Sequence, residues 1–195
     1  MSAALAGQGL WVLLVVGWYV IRYPFERRAR KTRIAHSGRD LSERIRMAVS
    51  FTGLGILPGL FVASGLPRLG TYEPSALQTG AGALVAALAL YLFRRTHKAL
   101  GRMWSVSLDI REKHKLVTTG IYERLRHPMY TAFFAMALAQ ALLVPSAIAG
   151  PAGLVGFGLL FAFRIGPEER MMEERFGEDY RAYKARTARI LPGLF

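Results

Sequence analysis

Two groups of ionisable residues flank an uncharged stretch in the last third of this sequence. The first is His114-Lys115-Leu116-Val117-Thr118-Thr119-Gly120-Ile121-Tyr122, which runs into Arg124-Leu125-Arg126-His127-Pro128-Met129-Tyr130. About 35 uncharged residues follow, and then come Arg164-Ile165-Gly166-Pro167-Glu168-Glu169 and Phe176-Gly177-Glu178-Asp179-Tyr180. Ionisable groups at the edge of an apolar span are costly to place, so they are functional candidates by default. If the uncharged stretch is a hairpin, its two mouths are neighbours in space. They then bring together His114, Tyr122, Arg126, His127, Tyr130, Arg164, Glu168 and Glu169. Pro128 suits the first turn of a helix, and the N–H groups at such a terminus can bind a carboxylate or a phosphate. Arg164 and Glu168 share a face if the helix continues past them, although Pro167 could break that register. Each residue also has a plainer reading. Arg164 and Glu168 could be an interfacial ion pair, His127 a polar helix start, and Tyr122 and Tyr130 part of an aromatic belt. The residues alone therefore point to a membrane protein with a charged cytoplasmic pocket.

The elements that position these residues can be read from the apolar pattern. Five apolar segments run from about Leu5 to Ile21, Met47 to Leu66, Ser75 to Phe93, Met129 to Val144 and Ala147 to Phe163. The last two are short for a span of about 20 residues, and Pro145-Ser146 splits them into a tight hairpin. The fold expected is an all-α polytopic membrane protein with about five transmembrane helices. Residues 1–93 hold the first three, and residues 94–195 form a second half. That half consists of a cytoplasmic loop from Arg94 to His127, the hairpin 129–163 and C-terminal helices. No Lys or Arg precedes the first apolar segment, so an uncleaved span is expected there rather than a signal peptide. Pro167 is expected in the first turn of a new tail helix, with Gly177 as its C-cap. A short helix bearing Tyr180, Tyr183 and Lys184 follows. Gly53, Gly55, Gly59, Gly80 and Gly82 are read as sites of close helix packing.

Charge supports this arrangement. Of 26 Lys and Arg, nine lie between spans one and two, one between two and three, nine between three and four, and seven after span five. Five spans place 25 of the 26 on one face. The positive-inside rule then puts the N-terminus outside and the long loops and C-terminus in the cytoplasm. The basic run from Arg22 to Arg46 is read as a topological anchor that meets anionic headgroups. A net charge of +13 could suggest nucleic acid, but the basic residues lie between apolar spans rather than in a basic domain, so no nucleic-acid partner is expected. There is no cysteine, which excludes disulfides and thiolate chemistry. His36, His97, His114 and His127 form no paired spacing, so no metal site is expected.

At these residues the sequence resembles the isoprenylcysteine carboxyl methyltransferase and phospholipid methyltransferase superfamily. The resemblance lies in His114 to Tyr122, Arg126-His127-Pro128-Met129-Tyr130, Arg164 with Glu168-Glu169, Phe176 to Tyr180, Tyr183 and Pro192. It covers about residues 94 to 195. It implies an integral membrane methyltransferase that uses S-adenosylmethionine, in a pocket made by the loop, the hairpin and the C-terminal helices. By that analogy His114, Leu116, Val117, Gly120, Tyr122, His127 and Pro128 line the cofactor site, and Glu168 holds the cofactor from the other side. Arg164 matches the substrate-contacting arginine. Some members carry a Gln a few residues before the His114 position, where this chain has Ser107.

The implied cofactor carries a sulfonium, an ammonium and a carboxylate. Backbone N–H groups and His127 suit the carboxylate, and Glu168 suits the ammonium. Methyl transfer is an in-line displacement that needs alignment and dryness but no metal. The resemblance implies an acceptor that is a lipophilic small molecule or a lipid-anchored substrate, entering from the bilayer among the membrane lipids. A carboxylate acceptor needs only a cation such as Arg164, whereas an amine must lose a proton, which Glu169 could accept. The short chain and its Ala-, Arg- and Gly-rich composition suggest a prokaryotic inner membrane, which disfavours a prenylated-protein substrate and favours a small lipophilic acid, thiol or lipid. Two other readings are a membrane reductase related to sterol reductases that uses a nicotinamide dinucleotide, and a non-catalytic membrane protein. The sequence leaves oligomeric state open.

Overall fold

The computed structural model describes residues 2–29, 34–37, 41–101, 109–111 and 116–193. His114 and Ser107 lie outside them. The described body is helical, as the apolar pattern requires. Helix α1 (Ala3–Ala29) is uncharged as far as Ile21 and then continues through Pro24, carrying Arg22, Arg27 and Arg28 beyond the apolar part. Helix α2 (Leu41–Phe51) passes through a π-helical turn (Thr52–Ile56) into α3 (Leu57–Ser64). Together they make one rod, longer at its start than the apolar segment suggests. Helix α4 (Ala76–Leu100) starts at Ser75, whose hydroxyl accepts the Gln78 N–H at 3.1 Å as an N-cap. Helices α5 (Pro128–Leu143) and α6 (Ala152–Phe176) form the hairpin, and α7 (Glu178–Arg186) follows.

Among the described residues three rods are long and apolar enough to cross a membrane: Ala3–Arg28, Leu41–Ser64 and Ala76–Leu100. Helix α5 is apolar but spans only 16 residues, and α6 is uncharged only over its first half. The shortness of the fourth and fifth segments is thus a property of the helices themselves. The outer surface carries bare hydrocarbon, with Leu77 84% exposed and Leu13 64% exposed. In water such a surface would aggregate, whereas in a bilayer it is matched.

The helical fold expected is found, and beside the helices two short strands, β1 (Ile34–Ser37) and β2 (Asp109–Arg111), pair antiparallel. They join the two basic loops, whose polar composition frees them from the helical rule of the bilayer interior. The boundary at residue 93 falls inside α4, so the two halves share a helix. Pro167 does not start a tail helix: α6 runs unbroken from Ala152 to Phe176 with Pro167 inside it. Pro167 cannot donate to the Phe163 carbonyl, but it is exposed, where that carbonyl can be solvated. Gly177 does end α6, at φ +54°, with its N–H on the Glu173 carbonyl at 2.8 Å.

Apolar burial gives helices little reason to associate inside hydrocarbon, so close packing and hydrogen bonds must hold them. A methyl added at Gly53 would stand 2.3 Å from the Ala152 carbonyl oxygen, and one at Gly156 would stand 2.8 Å from that of Val49. The α2–α3 rod and α6 therefore touch backbone to backbone. Gly82 instead makes room for the side chains of Leu143 and Leu142, whereas Gly80 faces open space. Gln140, fully buried, sets its amide nitrogen 3.0 Å from the Gly53 carbonyl, 3.0 Å from that of Ala149 and 3.1 Å from that of Gly150. It ties the π-turn to the hairpin turn. Phe93, Ala89, Met136, Ala139 and Leu143 form the core where α1, α4 and α5 meet. Tyr130, Phe157 and Leu160 form a second core, between α5 and α6.

Candidate active site

Helices α5 and α6 run antiparallel and wall a cavity of about 980 Å³. The lining residues on α6 progress from Phe157 and Leu160 through Arg164 and Glu168 to Met171 and Met172. At 1.5 Å per residue that is a run of roughly 22 Å. Along α5 the matching order is Gln140, Met136, Phe133, Tyr130 and His127. The cavity therefore has two unlike ends. The inner end lies among the spans, walled by Trp11, Leu14 and Phe93, with Phe51 and Leu54 from the α2–α3 rod. The outer end is walled by Leu116, Val117, Tyr122, Tyr180 and Tyr183. Arg164 and Glu168 stand where the two ends meet.

Because α6 continues through Pro167, Arg164 and Glu168 stay on one face, and Arg164 Nε lies 3.7 Å from Glu168 Oε2. The Tyr130 hydroxyl donates to the same Glu168 oxygen at 2.6 Å. His127 stands between two carboxylates. Its Nδ1 is 3.6 Å from Glu168 Oε1, and its Nε2 is 3.3 Å from Glu169 Oε1. Both ring nitrogens can donate only in the imidazolium form. Burial alone would lower the His127 pKa, but the hydrogen bonds and charges of Glu168 and Glu169 outweigh burial and raise it. Burial pushes the Glu168 carboxyl up, yet the His127 hydrogen bond and charge, Arg164 and the Tyr130 hydroxyl hold it at about 2. Glu168 is thus an ionised carboxylate facing the cavity.

Glu169 points elsewhere. Its Oε1 meets Arg126 Nε at 3.2 Å, and its Oε2 meets Arg189 Nη2 at 2.9 Å and Lys184 Nζ at 3.6 Å. Burial pushes it up, but His127 and Arg189 win and hold it far below the ordinary carboxylate range. Glu169 and Arg126 are buried against each other, and Arg126 also donates to the carbonyls of Lys184 and Thr187. The tail after α7 returns across the start of α5. The Arg126 and His127 N–H groups bond the Ala188 and Arg189 carbonyls at 2.8 and 3.0 Å, and the Thr131 hydroxyl bonds the Ile190 carbonyl at 2.6 Å. The Tyr183 hydroxyl donates to the Tyr122 carbonyl at 2.7 Å, which fixes the loop against α7.

Of the site residues expected from sequence, Leu116, Val117, Tyr122, His127, Glu168 and Arg164 line this one cavity. Gly120 and Pro128 do not: Gly120 is an exposed turn residue at φ +66°, and Pro128 is a buried first residue of α5. Glu169 is also absent from the lining and is surrounded by cations, which makes it a poor proton acceptor. The N–H groups expected to bind an anion at the start of α5 include two that the tail already occupies. Sequence reasoning missed Glu43, which is fully buried on α2 with Oε1 3.1 Å from Arg164 Nη1. Its only signal was an acid among the basic residues of the first loop. It also passed over Met171, Met172 and Gln140, whose apolar or neutral character looked like ordinary helix filling. Among the described residues no group of His, Cys, Asp and Glu could hold a metal ion.

Comparison with known proteins places this arrangement. Residues 82–174 match the model of the isoprenylcysteine carboxyl methyltransferase family. The chain is 33% identical over 93 residues to the protein-S-isoprenylcysteine O-methyltransferase of Dictyostelium discoideum, covering 46% of this chain and 38% of that protein. It is 34% identical over 94 residues to protein-S-isoprenylcysteine O-methyltransferase B of Arabidopsis thaliana, covering 47% and 48%. The match thus spans less than half the length of either relative. A solved structure of the eukaryotic intramembrane Ras methyltransferase, isoprenylcysteine carboxyl methyltransferase, superposes with a TM-score of 0.54 at 23% identity, over 80% of this chain and 55% of that one. That likeness is one of fold. The family resemblance read from the motifs is borne out, as is the reading of an integral membrane fold.

Proposed function

We propose that this chain, whose residues 82–174 carry the isoprenylcysteine carboxyl methyltransferase pattern, is an integral membrane methyltransferase. It uses S-adenosylmethionine to methylate a carboxylate on a lipophilic acceptor, as its relatives' name suggests. The observation that carries this reading is one cavity that runs from an apolar chamber among the spans, past the charged pair Arg164 and Glu168, to an outer end walled by tyrosines and methionines. A charged cofactor and a greasy acceptor can meet there without either crossing the other's environment.

The residues of the outer end fit the cofactor. Glu168, kept ionised by His127 and Tyr130, would hold its ammonium. Leu116, Val117, Met171 and Met172 offer apolar and thioether surface for the remainder. When bound, S-adenosylmethionine supplies a methyl group already activated by the sulfonium. The chain then has only to align the acceptor and keep water out. Arg164, at the junction, would receive the acceptor carboxylate, and the apolar walls beyond it would take the lipid. His127 has both nitrogens on protein carboxylates, so it acts by positioning Glu168 rather than by holding the ligand. Glu169, held among cations, anchors the tail and leaves an amine acceptor without its base, which favours a carboxylate. The acceptor would be an isoprenylcysteine-like carboxylate, small or lipid-anchored, entering from the bilayer. The charge asymmetry sets the outer end of the cavity at the cytoplasmic face, with the N-terminus outside. The comparisons do not favour the reductase reading.

Calorimetric titration of the detergent-purified protein with S-adenosylhomocysteine tests this. Micromolar binding that disappears in Glu168→Ala is expected. No binding by a folded wild type, with a heat from a nicotinamide dinucleotide instead, would replace the methyltransferase with the reductase.

A further inference from the structure

The reactive arginine of the proposed mechanism is held from outside the family-matching segment. Arg164 lies on α6, and Glu43 lies on the first turn of α2, far away in sequence and upstream of residues 82–174. The two meet with Glu43 Oε1 at 3.1 Å from Arg164 Nη1. The other Glu43 oxygen is 3.5 Å from Arg46 Nη2, one helical turn further along α2. Glu43 is 1% exposed and does not line the cavity, whereas Arg164 does. Glu43 therefore stands behind Arg164 as seen from the acceptor.

This placement has a cost that needs a return. A carboxylate taken out of solvent costs several kcal/mol unless partners compensate. Glu43 gains Arg164, Arg46 and the positive end of the α2 helix. A plain topological anchor would keep its acid in water. Furthermore, Arg164 meets carboxylates through two different atoms: Glu43 at Nη1 and Glu168 at Nε. A guanidinium with a carboxylate on each of two sides is confined more closely than one held by a single ion pair on a long flexible side chain.

We propose that Glu43 is a positioning residue for methyl transfer: it orients the Arg164 guanidinium so that an incoming carboxylate is set in line with the methyl donor. The inference rests on the methyltransferase reading above. It also gives the N-terminal half a part in the chemistry. The α2–α3 rod that carries Glu43 supplies cavity walls at Met47, Ser50, Phe51 and Leu54, and it packs backbone to backbone on α6. The helix that walls the acceptor thus also aims the residue that receives it.

The test compares wild type, Glu43→Gln and Glu43→Asp in detergent or nanodiscs, with an N-acetylated S-prenylcysteine as acceptor. In Glu43→Gln the volume is kept and the charge removed. The expected result is a loss in kcat/KM for the acceptor of roughly 10- to 100-fold, as for misaligned reactants. The S-adenosylhomocysteine affinity should stay within about 2-fold, and Glu43→Asp should recover part of the rate. Placing Glu43→Gln on an Arg164→Lys background should cost much less than on wild type, because the partner it aims is already altered. Equal losses on both backgrounds, or a loss of cofactor affinity in parallel with rate, would reduce Glu43 to a structural ion pair. Unchanged kinetics in Glu43→Gln would overturn the proposal outright. A wild type that neither binds S-adenosylhomocysteine nor turns over would instead remove the methyltransferase reading, and this inference with it.

Discussion

Glu168 and Glu169 are adjacent in sequence and serve different faces of α6. Successive helical residues point about 100° apart, so two neighbouring carboxylates cannot share one environment. Glu168 faces the cavity, beside Tyr130 and Arg164. Glu169 faces the tail and is held by Arg126, Arg189 and Lys184. His127 bridges them. The difference teaches that depressed pKa values alone do not mark a functional carboxylate. Both are depressed, but only one borders space that a ligand can enter. The tail-facing carboxylate fixes the frame, and the cavity-facing one is the carboxylate to which the proposed function gives the ligand.

The sharpest way to break this comparison is to remove each carboxylate in turn. Glu168→Ala should abolish S-adenosylhomocysteine binding, a loss of more than about 100-fold, and also lose the stability that its contacts with His127, Tyr130 and Arg164 supply. Glu169→Ala should leave the folded fraction able to bind and should cost more stability. Removing one partner of a buried pair costs about 3–5 kcal/mol, so unfolding followed by intrinsic fluorescence should shift strongly downward. If Glu169→Ala unfolds normally but no longer binds ligand, the assignment of roles is inverted.

Arg164→Ala comes next. Cofactor affinity should stay within a few-fold and turnover should fall below detection, because the acceptor carboxylate loses its cation. Normal turnover would return Arg164 to an interfacial ion pair.

His127→Asn is smaller and sharpens the bridge. The pKa of His127 is raised in the fold, so its stabilisation is complete below its ordinary value of 6.5 and fades as pH rises through the folded value. The pKa values of Glu168 and Glu169 are lowered, so theirs is complete above the ordinary value of 4.5 and fades as pH falls towards about 2. Stability measured against pH should therefore be greatest between about 4.5 and 6.5. The difference between wild type and His127→Asn should vanish at high pH. A difference that persists at pH 10 would mean that His127 acts by shape alone.

The smallest effect belongs to the tail. Arg189 is 38% exposed, so Arg189→Ala should cost on the order of 1 kcal/mol of stability and leave ligand affinity within a few-fold. A larger loss of affinity would place the tail in the site.

Much of this was legible in the sequence. The alternation of basic and uncharged stretches located the rods, because the bilayer forbids charge within them. Of the residues that the charged motifs gathered, Tyr122, Arg126, His127, Tyr130, Arg164 and Glu168 line one cavity. What was hidden has physical causes. Pro167 looked like a helix start, since proline is favoured there and penalised inside. Only the solvated face of α6 shows why it is tolerated. Gly120 fitted a ligand-binding loop, but its positive φ serves a turn. Glu43 was invisible because its partner lies on a helix that approaches only through the glycines at 53 and 156. Contacts of that kind leave no periodic trace.

Gln140 has a consequence for how such a protein can change over time. It lines the inner end of the cavity, but its amide is secured to the main-chain oxygens of Gly53, Ala149 and Gly150 rather than to side chains. Main-chain oxygens do not mutate. The floor of the apolar chamber is therefore held by groups that substitution cannot remove, so a change of side chain along its walls leaves the tie between the π-turn and the hairpin turn in place.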